Sequence, residues 1–231
     1  MLSDMNPLFK KQWLQRRHFI AAAATLSIVG LNPAASFAAV ATPSEPANRI
    51  LVLGDSLSAE YGLKRGSGWV TLLEKKLSAE KINATVINAS ISGDTTSGGR
   101  ARLPALLEKH KPSLLVIELG ANDALRGLPI ALTQDNLLAM TQMAARAKAR
   151  VLLLGMQLPP NYGRDYSLRF AAMYATTAKT SQSALVPFFL KGIADVPDSL
   201  RWFQADRIHP KEEAHPLILT NVWPELKKGL K

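Results

Sequence analysis

The chain has no cysteine, so a disulfide framework, a thiolate metal site and a thiol nucleophile are excluded together. Its amino-terminal apolar run, Phe19 to Leu31, holds about 13 residues, whereas a bilayer span needs about 20. No tract of five or six basic residues occurs, so the formal charge of +10 does not gather into a nucleic-acid-binding stripe. There is no G-x-S-x-G nucleophile elbow, no phosphate-cradling Walker loop and no HExxH zinc motif. Internal repeats and low-complexity tracts are also absent. What remains is 231 residues, 47% hydrophobic and 20% charged, ordinary values for a globular chain that buries a core without covalent staples.

The first 38 residues stand apart. Lys10, Lys11, Arg16 and Arg17 precede the apolar run, and the small residues Pro33-Ala-Ala-Ser-Phe-Ala38-Ala39 follow it. This charged, apolar, then small-residue order is that of a secretory signal peptide, with cleavage expected after Ala38. Arg16-Arg17-His18-Phe19-Ile20 also resembles a twin-arginine signal, which exports folded proteins. A lipid anchor would need a cysteine at the cleavage site. The segment carries four basic side chains and one acidic, so the remainder holds +7 of the formal +10. A periplasmic or secreted protein is expected, with residues 39–48 as an irregular leader rich in proline and serine and residues 49–231 as one domain.

Within that domain, short Val/Ile/Leu runs alternate with helical patterns. Strands are expected at Arg49–Leu53, Ala84–Asn88, Leu114–Glu118, Arg150–Leu154 and Ala184–Val186. Helices are expected at Trp69–Glu80, Arg100–His110, Gln134–Lys148, Leu168–Ser181 and Lys211–Leu226, the last shortened or kinked by Pro216 and Pro224. Strands nearly continuous in apolar residues are buried on both faces. The predicted fold is therefore an α/β class, three-layer α/β/α sandwich with a central parallel sheet. Ligands in such sheets bind beyond the carboxyl ends of the strands. The loops to examine are residues 54–58, 89–96, 120–128 and 157–165.

Those loops carry reactive side chains. The first strand ends in Gly54-Asp-Ser56-Leu-Ser58, where the glycine allows a sharp turn and Ser56 falls near a helix start. The second and third strands lead into Ser92-Gly93-Asp94 and Gly120-Ala-Asn122-Asp123; a glycine N–H and an asparagine carboxamide are both donors suited to an oxyanion. Each is equally at home in a plain turn. Asp206-Arg-Ile-His209-Pro210 sets a carboxylate three residues before an imidazole, within reach of its Nδ1, so that Nε2 is left free as a base. His209 and His215, with Glu212 and Glu213 between them, do not form a metal site on this reading, since six residues apart on a helix they face different ways; His215 is expected at the surface.

Together the four blocks resemble the SGNH, or GDSL, hydrolase superfamily. The further blocks Asn88-Ala-Ser-Ile-Ser-Gly-Asp-Thr95, Ala101-Arg-Leu-Pro-Ala-Leu-Leu107, Asp123-Ala-Leu-Arg-Gly127 and Leu158-Pro-Pro-Asn-Tyr-Gly163 are similar to its bacterial periplasmic thioesterase, lysophospholipase and arylesterase branch. The resemblance runs from about Arg49 to Leu226. It implies a flavodoxin-like sandwich, Ser56 as nucleophile, His209 as base and Asp206 orienting it. It also implies an oxyanion hole from the N–H groups of Ser56 and Gly93 and the side chain of Asn122. Two positions depart from the pattern: Glu60 and Arg207 both stand where this branch has glycine.

The resemblance further places Asp123, Leu125 and Leu128 along an acyl-binding crevice, with Pro159 and Tyr162 in the opposite wall. The expected substrates are acyl esters, thioesters or lysophospholipids, without cofactor, metal or nucleic acid. A monomer is expected, and the basic balance permits transient contact with anionic lipid. The competing readings are a carbohydrate O-acetylesterase using the same residues and a non-catalytic binding domain on the same fold.

Overall fold

The computed structural model describes residues 48–230; the expected signal segment, nearly all of the leader and Lys231 lie outside them. Five strands form one sheet: β1 (Asn48–Gly54), β2 (Ala84–Asn88), β3 (Leu114–Glu118), β4 (Arg150–Leu154) and β5 (Ala184–Val186). All pair in parallel, in the order β2-β1-β3-β4-β5. The order reverses between β1 and β3, the point where an open α/β sheet opens a crevice at its carboxyl edge.

Helices cover the sheet. They are α1 (Trp69–Ala79), α2 (Thr96–His110), α3 (Ala121–Leu125), α4 (Ile130–Arg146), α5 (Arg164–Ser181) and α6 (His215–Lys228). α1 packs against α6, while α2, α4 and α5 pack in succession as a separate layer. The central strands are therefore enclosed on both sides, and Ile50 to Leu53 and Leu114 to Ile117 are fully buried. Each Leu or Ile so buried contributes about 1.5–3 kcal/mol relative to exposure, which is why these runs hold no polar residue. The edge strand β2 has no fully buried residue.

The strands lie where the apolar runs predict; α1 begins where expected, α2, α4 and α5 begin four residues earlier, and α6 four residues later. α2 starts at Thr96 rather than Arg100: the Thr95 hydroxyl caps it by accepting from the Gly98 N–H at 3.3 Å. α3 occupies part of the expected 120–128 loop. α6 starts at His215 after a 3₁₀ turn over Glu212–Ala214. Pro216 sits in its first turn, where no N–H is needed, and Pro224 lies inside it.

His215 is a correction. Expected at the surface, it is 1% exposed, and its Nδ1 accepts from the Trp69 N–H at 3.0 Å. The packing of α6 on α1 brings the ring to the start of α1, whose N-cap Gly68 has no side chain to offer.

Candidate active site

The loop before α6 sets up the site. An antiparallel bridge between Phe203 and Pro210 closes a tight turn, fastened by Gln204 N–H to the His209 carbonyl at 2.8 Å. Inside it, Asp206 Oδ1 accepts from the N–H groups of Ile208 (2.9 Å) and His209 (3.1 Å). Its other oxygen, Oδ2, lies 2.7 Å from His209 Nδ1, and His209 Nε2 lies 2.9 Å from Ser56 Oγ. The three residues expected from sequence thus meet in one hydrogen-bonded line, with 153 positions between Ser56 and His209. Partial burial pulls the Asp206 carboxyl up, but the bonds from Ile208 and His209 outweigh it and hold it down to about 2. Asp206 is therefore ionised throughout the neutral range. Tyr61 packs on the His209 ring, centroids 4.3 Å apart, and Gln204 Nε2 donates to the Tyr61 carbonyl at 3.0 Å.

Three loops converge opposite His209. Among the described residues, neither the Ser56 N–H nor the Gly93 N–H donates a hydrogen bond. Gly93 adopts φ +78°, a left-handed conformation that a side chain would strain. The loop around it is pinned by Arg102, which pairs with Asp94 at 2.8 Å and donates to the Ala89 carbonyl, and by Arg126 Nη2 on the Gly93 carbonyl at 2.7 Å. Asn122, in the first turn of α3, donates from Nδ2 to the Asp94 carbonyl and to Asp55 Oδ2, both at 2.9 Å.

Behind these donors runs a buried polar chain that no sequence motif announced. Asp55 N–H and the Ser58 hydroxyl both donate to Glu118 Oε2, at 3.3 and 2.9 Å, and the Trp69 indole donates to Ser58 Oγ at 3.1 Å. The register pairs Gly54 with Glu118. A Cβ at Gly54 would stand 2.8 Å from Ser58 Oγ and 2.9 Å from Glu118 Oε2. Gly54 is thus explained by the space those two groups need rather than by a sharp turn. Burial pushes Asp55 up to about 6, and pushes Glu118, with the Asp55 charge beside it, well above the usual carboxylate range. Of the pair, Glu118 is the harder to ionise, and Asp55 accepts from Asn122.

A groove of about 560 Å³ opens at Ser56 and His209. Its apolar walls include Leu125, Met156, Leu158, Phe188, Leu200 and Ile208. Of the expected substrate-binding residues, Leu125 and Pro159 line it; Asp123, Leu128 and Tyr162 do not. Asp123 is a correction with a clear cause. It follows Asn122 on a helix, so its side chain turns about 100° away. It is 1% exposed and accepts from Thr96 N–H at 2.9 Å and Thr96 Oγ1 at 2.5 Å, holding the first turn of α2. Leu128 lies past the end of α3, and Tyr162 ends a 3₁₀ turn begun at Pro160, both away from the groove.

The two departures from the glycine pattern share a physical feature. Glu60 adopts φ +60° and Arg207 φ +61°, the left-handed region where glycine is the undemanding choice. Glu60 has an evident use: its carboxylate accepts from Gly66 N–H (2.9 Å), Gly68 N–H (2.8 Å) and the Thr71 hydroxyl (2.9 Å), tying down the loop into α1. Arg207 lines the groove.

A serine, histidine and aspartate in one hydrogen-bonded line, at the carboxyl edge of a parallel 2-1-3-4-5 sheet, define the class: a serine hydrolase on a flavodoxin-like sandwich. The chain belongs to the GDSL-like lipase/acylhydrolase family, whose sequence model matches residues 52–217. It is 53% identical over 186 residues to Esterase TesA of Pseudomonas aeruginosa, covering 80% of this chain and 91% of that one. It is 43% identical over 172 residues to thioesterase 1/protease 1/lysophospholipase L1 of Escherichia coli K12, covering 74% and 80%. Among solved structures, the psychrotrophic esterase EstA from Pseudoalteromonas sp., inhibited by monoethylphosphonate, superposes with a TM-score of 0.74 at 43% identity, over 79% of this chain and 98% of that one.

Proposed function

We propose that this protein is a serine esterase that hydrolyses esters and thioesters of apolar acyl chains, lysophospholipids included, through an acyl-enzyme on Ser56. The observation that carries the proposal is the unbroken line from Asp206 through His209 to Ser56, opening directly onto an apolar groove.

In this reading Ser56 Oγ attacks the acyl carbonyl carbon while His209 Nε2 takes its proton. The imidazolium that forms carries its second N–H to ionised Asp206, which stabilises the charge without accepting the proton. The carbonyl oxygen becomes an oxyanion facing the N–H groups of Ser56 and Gly93 and the Asn122 carboxamide, where it competes with the Asp94 carbonyl for an Nδ2 hydrogen. Each such donor contributes on the order of 10²–10³ in turnover. His209 then delivers its proton to the departing alcohol or thiol oxygen or sulfur. Water, deprotonated by the same Nε2, attacks the acyl-enzyme carbonyl; the acyl–Oγ bond breaks, the acid leaves, and His209 returns the proton to Ser56 Oγ. The names of the relatives, an esterase and a thioesterase/lysophospholipase, agree with this range of leaving groups.

The export pattern in residues 1–38 supports a periplasmic or secreted site of action. Among the described residues no helix is long and apolar enough to cross a membrane. Acyl-CoA is a cytoplasmic metabolite, so oxygen esters fit that compartment better than thioesters.

The test is hydrolysis of p-nitrophenyl esters from acetyl to palmitoyl by the wild type and Ser56→Ala. A Ser56-dependent rate greatest at six carbons or longer is expected. A Ser56-dependent rate on acetate alone would move the substrate to O-acetylated sugars, and equal rates from the two proteins would overturn the nucleophile.

A further inference from the structure

We infer that Arg207 makes the mouth of the acyl groove a recognition point for a negatively charged group, phosphate or carboxylate, on the leaving-group side of the substrate. The inference rests on the esterase reading above and narrows its substrate class to acyl esters whose alcohol portion is anionic.

Three observations carry it. Arg207 holds a left-handed backbone at φ +61°, a conformation an arginine adopts only against its own preference and one that glycine takes freely. A charged side chain kept at a strained position beside reacting groups points from the strain to a use. Second, Arg207 lines a groove whose walls are otherwise predominantly apolar, and among the described residues its guanidinium makes no hydrogen bond or ion pair. The other ionisable groups lining the groove, apart from His209, are acidic: Asp195 accepts the Gly192 N–H through Oδ1 at 2.5 Å, and Asp55 is bound to Asn122 and Leu57. Asp206, behind His209, is committed to the imidazole. Arg207 is thus the groove's cation without a protein anion of its own.

The third observation fixes the side of the reacting centre. His209 must hand its proton to the leaving atom, so the alcohol portion lies on the His209 side of the tetrahedral carbon, away from Gly93 and Asn122. Arg207 stands two residues before His209 in the same closed turn. Its planar fork of donors suits a phosphate or carboxylate oxygen pair, and a partly exposed contact of this kind is worth a severalfold preference rather than absolute selection. An apolar groove with a cation at its mouth matches an amphiphile of the same pattern.

The experiment compares ester pairs that share an acyl chain. One pair is p-nitrophenyl octanoate and 3-octanoyloxy-4-nitrobenzoate, neutral and carboxylate-bearing. A second, lysophospholipid pair sets lysophosphatidic acid against the monoacylglycerol of the same acyl chain, which lacks the phosphate, both below their micellar concentrations, so that a lipid headgroup is separated from a small soluble anion. Wild type, Arg207→Lys and Arg207→Gly are assayed. The expected result is a ratio of kcat/KM, anionic over neutral, that falls about five- to tenfold in Arg207→Gly, carried by KM, and stays within about threefold of wild type in Arg207→Lys. The wild-type ratio falls as salt rises, and the glycine variant's does not. The loss in the lysophospholipid pair alone assigns the contact to a headgroup; loss in both assigns it to any anion at that position. Ratios in Arg207→Gly within twofold of wild type for both pairs overturn the inference. Calorimetric titration of decyl phosphate into Ser56→Ala and Ser56→Ala/Arg207→Gly reads the same contact without turnover: about fivefold weaker binding in the double variant supports it, and equal binding overturns it. That arm stands even where hydrolysis proves independent of Ser56, an outcome that overturns the esterase reading instead.

Discussion

At the scale of single residues, the side chains that meet at the crevice were legible and the groups that hold them were not. Ser56, Gly93, Asn122, Asp206 and His209 each sit in a short local motif, and motifs survive in a linear reading. Asp55, Ser58, Trp69 and Glu118 form their chain only when β1, β3 and α1 come together, with partners up to 63 positions apart. Asp123 misled because it neighbours Asn122 in sequence while the helical step of about 100° turns it into the interior, onto Thr96. The buried carboxyl pair has a measurable consequence. Glu118 sits well above its ordinary pKa because burial penalises its charge and Asp55 repels it. A carboxyl raised on folding contributes stability that is complete below about pH 4.5 and is lost as pH rises toward its folded value. Above pH 4.5, while the folded carboxyl is still protonated and the unfolded one is not, folding stability falls as pH rises. Glu118→Gln keeps an acceptor for Ser58 and removes the titration. Urea unfolding at pH 4.5, 5.5 and 6.5 should show the difference between variant and wild type moving in the variant's favour as pH rises. Asp206, Glu60 and His215 titrate in both proteins and cancel; Asp55, raised to about 6 and bonded to Glu118, does not, so the difference reads the Asp55–Glu118 pair. Parallel pH profiles would show that Glu118 ionises normally.

At the scale of elements, the strands were read almost to the residue because both-face burial writes itself as unbroken apolar sequence. Helix starts were harder. The first turns of α2, Thr96-Ser-Gly-Gly, and of α5, Arg164-Asp-Tyr-Ser, are polar and read as loop in sequence; only α2 has a side-chain cap, from Thr95. The start of α1 is the clearest case of capping supplied from outside: Gly68 brings no side chain, so Glu60 takes the N–H groups of Gly66 and Gly68, and His215 takes that of Trp69. The two caps respond to acid alike. Burial costs the Glu60 charge something, but its three hydrogen bonds prevail and lower its pKa, so its contribution is present above about pH 4.5 and lost below. Burial lowers His215 to about 4, with Glu60 pulling the other way, so the neutral ring's contribution is complete above pH 6.5 and is lost as pH falls toward 4. Glu60 also carries backbone strain, and two substitutions separate the effects. Glu60→Ala loses the acceptors and keeps the strain; Glu60→Gly loses the acceptors and relieves it. At pH 7 both should unfold at lower urea than wild type, the alanine variant by about 2 kcal/mol and the glycine variant by about 1 kcal/mol. A glycine variant as stable as wild type would mean the three hydrogen bonds contribute no more than the strain they oppose.

At the scale of the whole molecule, the sheet order makes the site's location a matter of topology. The reversal between β1 and β3 opens the crevice, and every group in the proposed chemistry lies in a loop or first helical turn at that edge or in the turn before α6. The sandwich class followed from alternation of strands and helices, whereas the groove's inner walls, such as Phe188 and Met156, come from segments after β5 and β4 that bear no motif. The same division between domain and leader bears on where the enzyme works. The described fold begins at Asn48, ten residues after the expected cleavage site, so removal of residues 1–38 spares every strand and helix reported above. Expressed from its first methionine in a Gram-negative host, the protein should therefore be recovered from the periplasmic fraction as an active esterase beginning at Ala39, read by intact mass. Arg16→Lys together with Arg17→Lys distinguishes the routes, since the twin-arginine path requires the pair and the general path needs only positive charge. Loss of periplasmic activity in the double lysine variant would mean that the domain folds before it crosses, as a chain without disulfides is free to do in the cytoplasm. Unchanged export would assign the general path, and full-length active protein confined to the cytoplasm would overturn the signal-peptide reading itself.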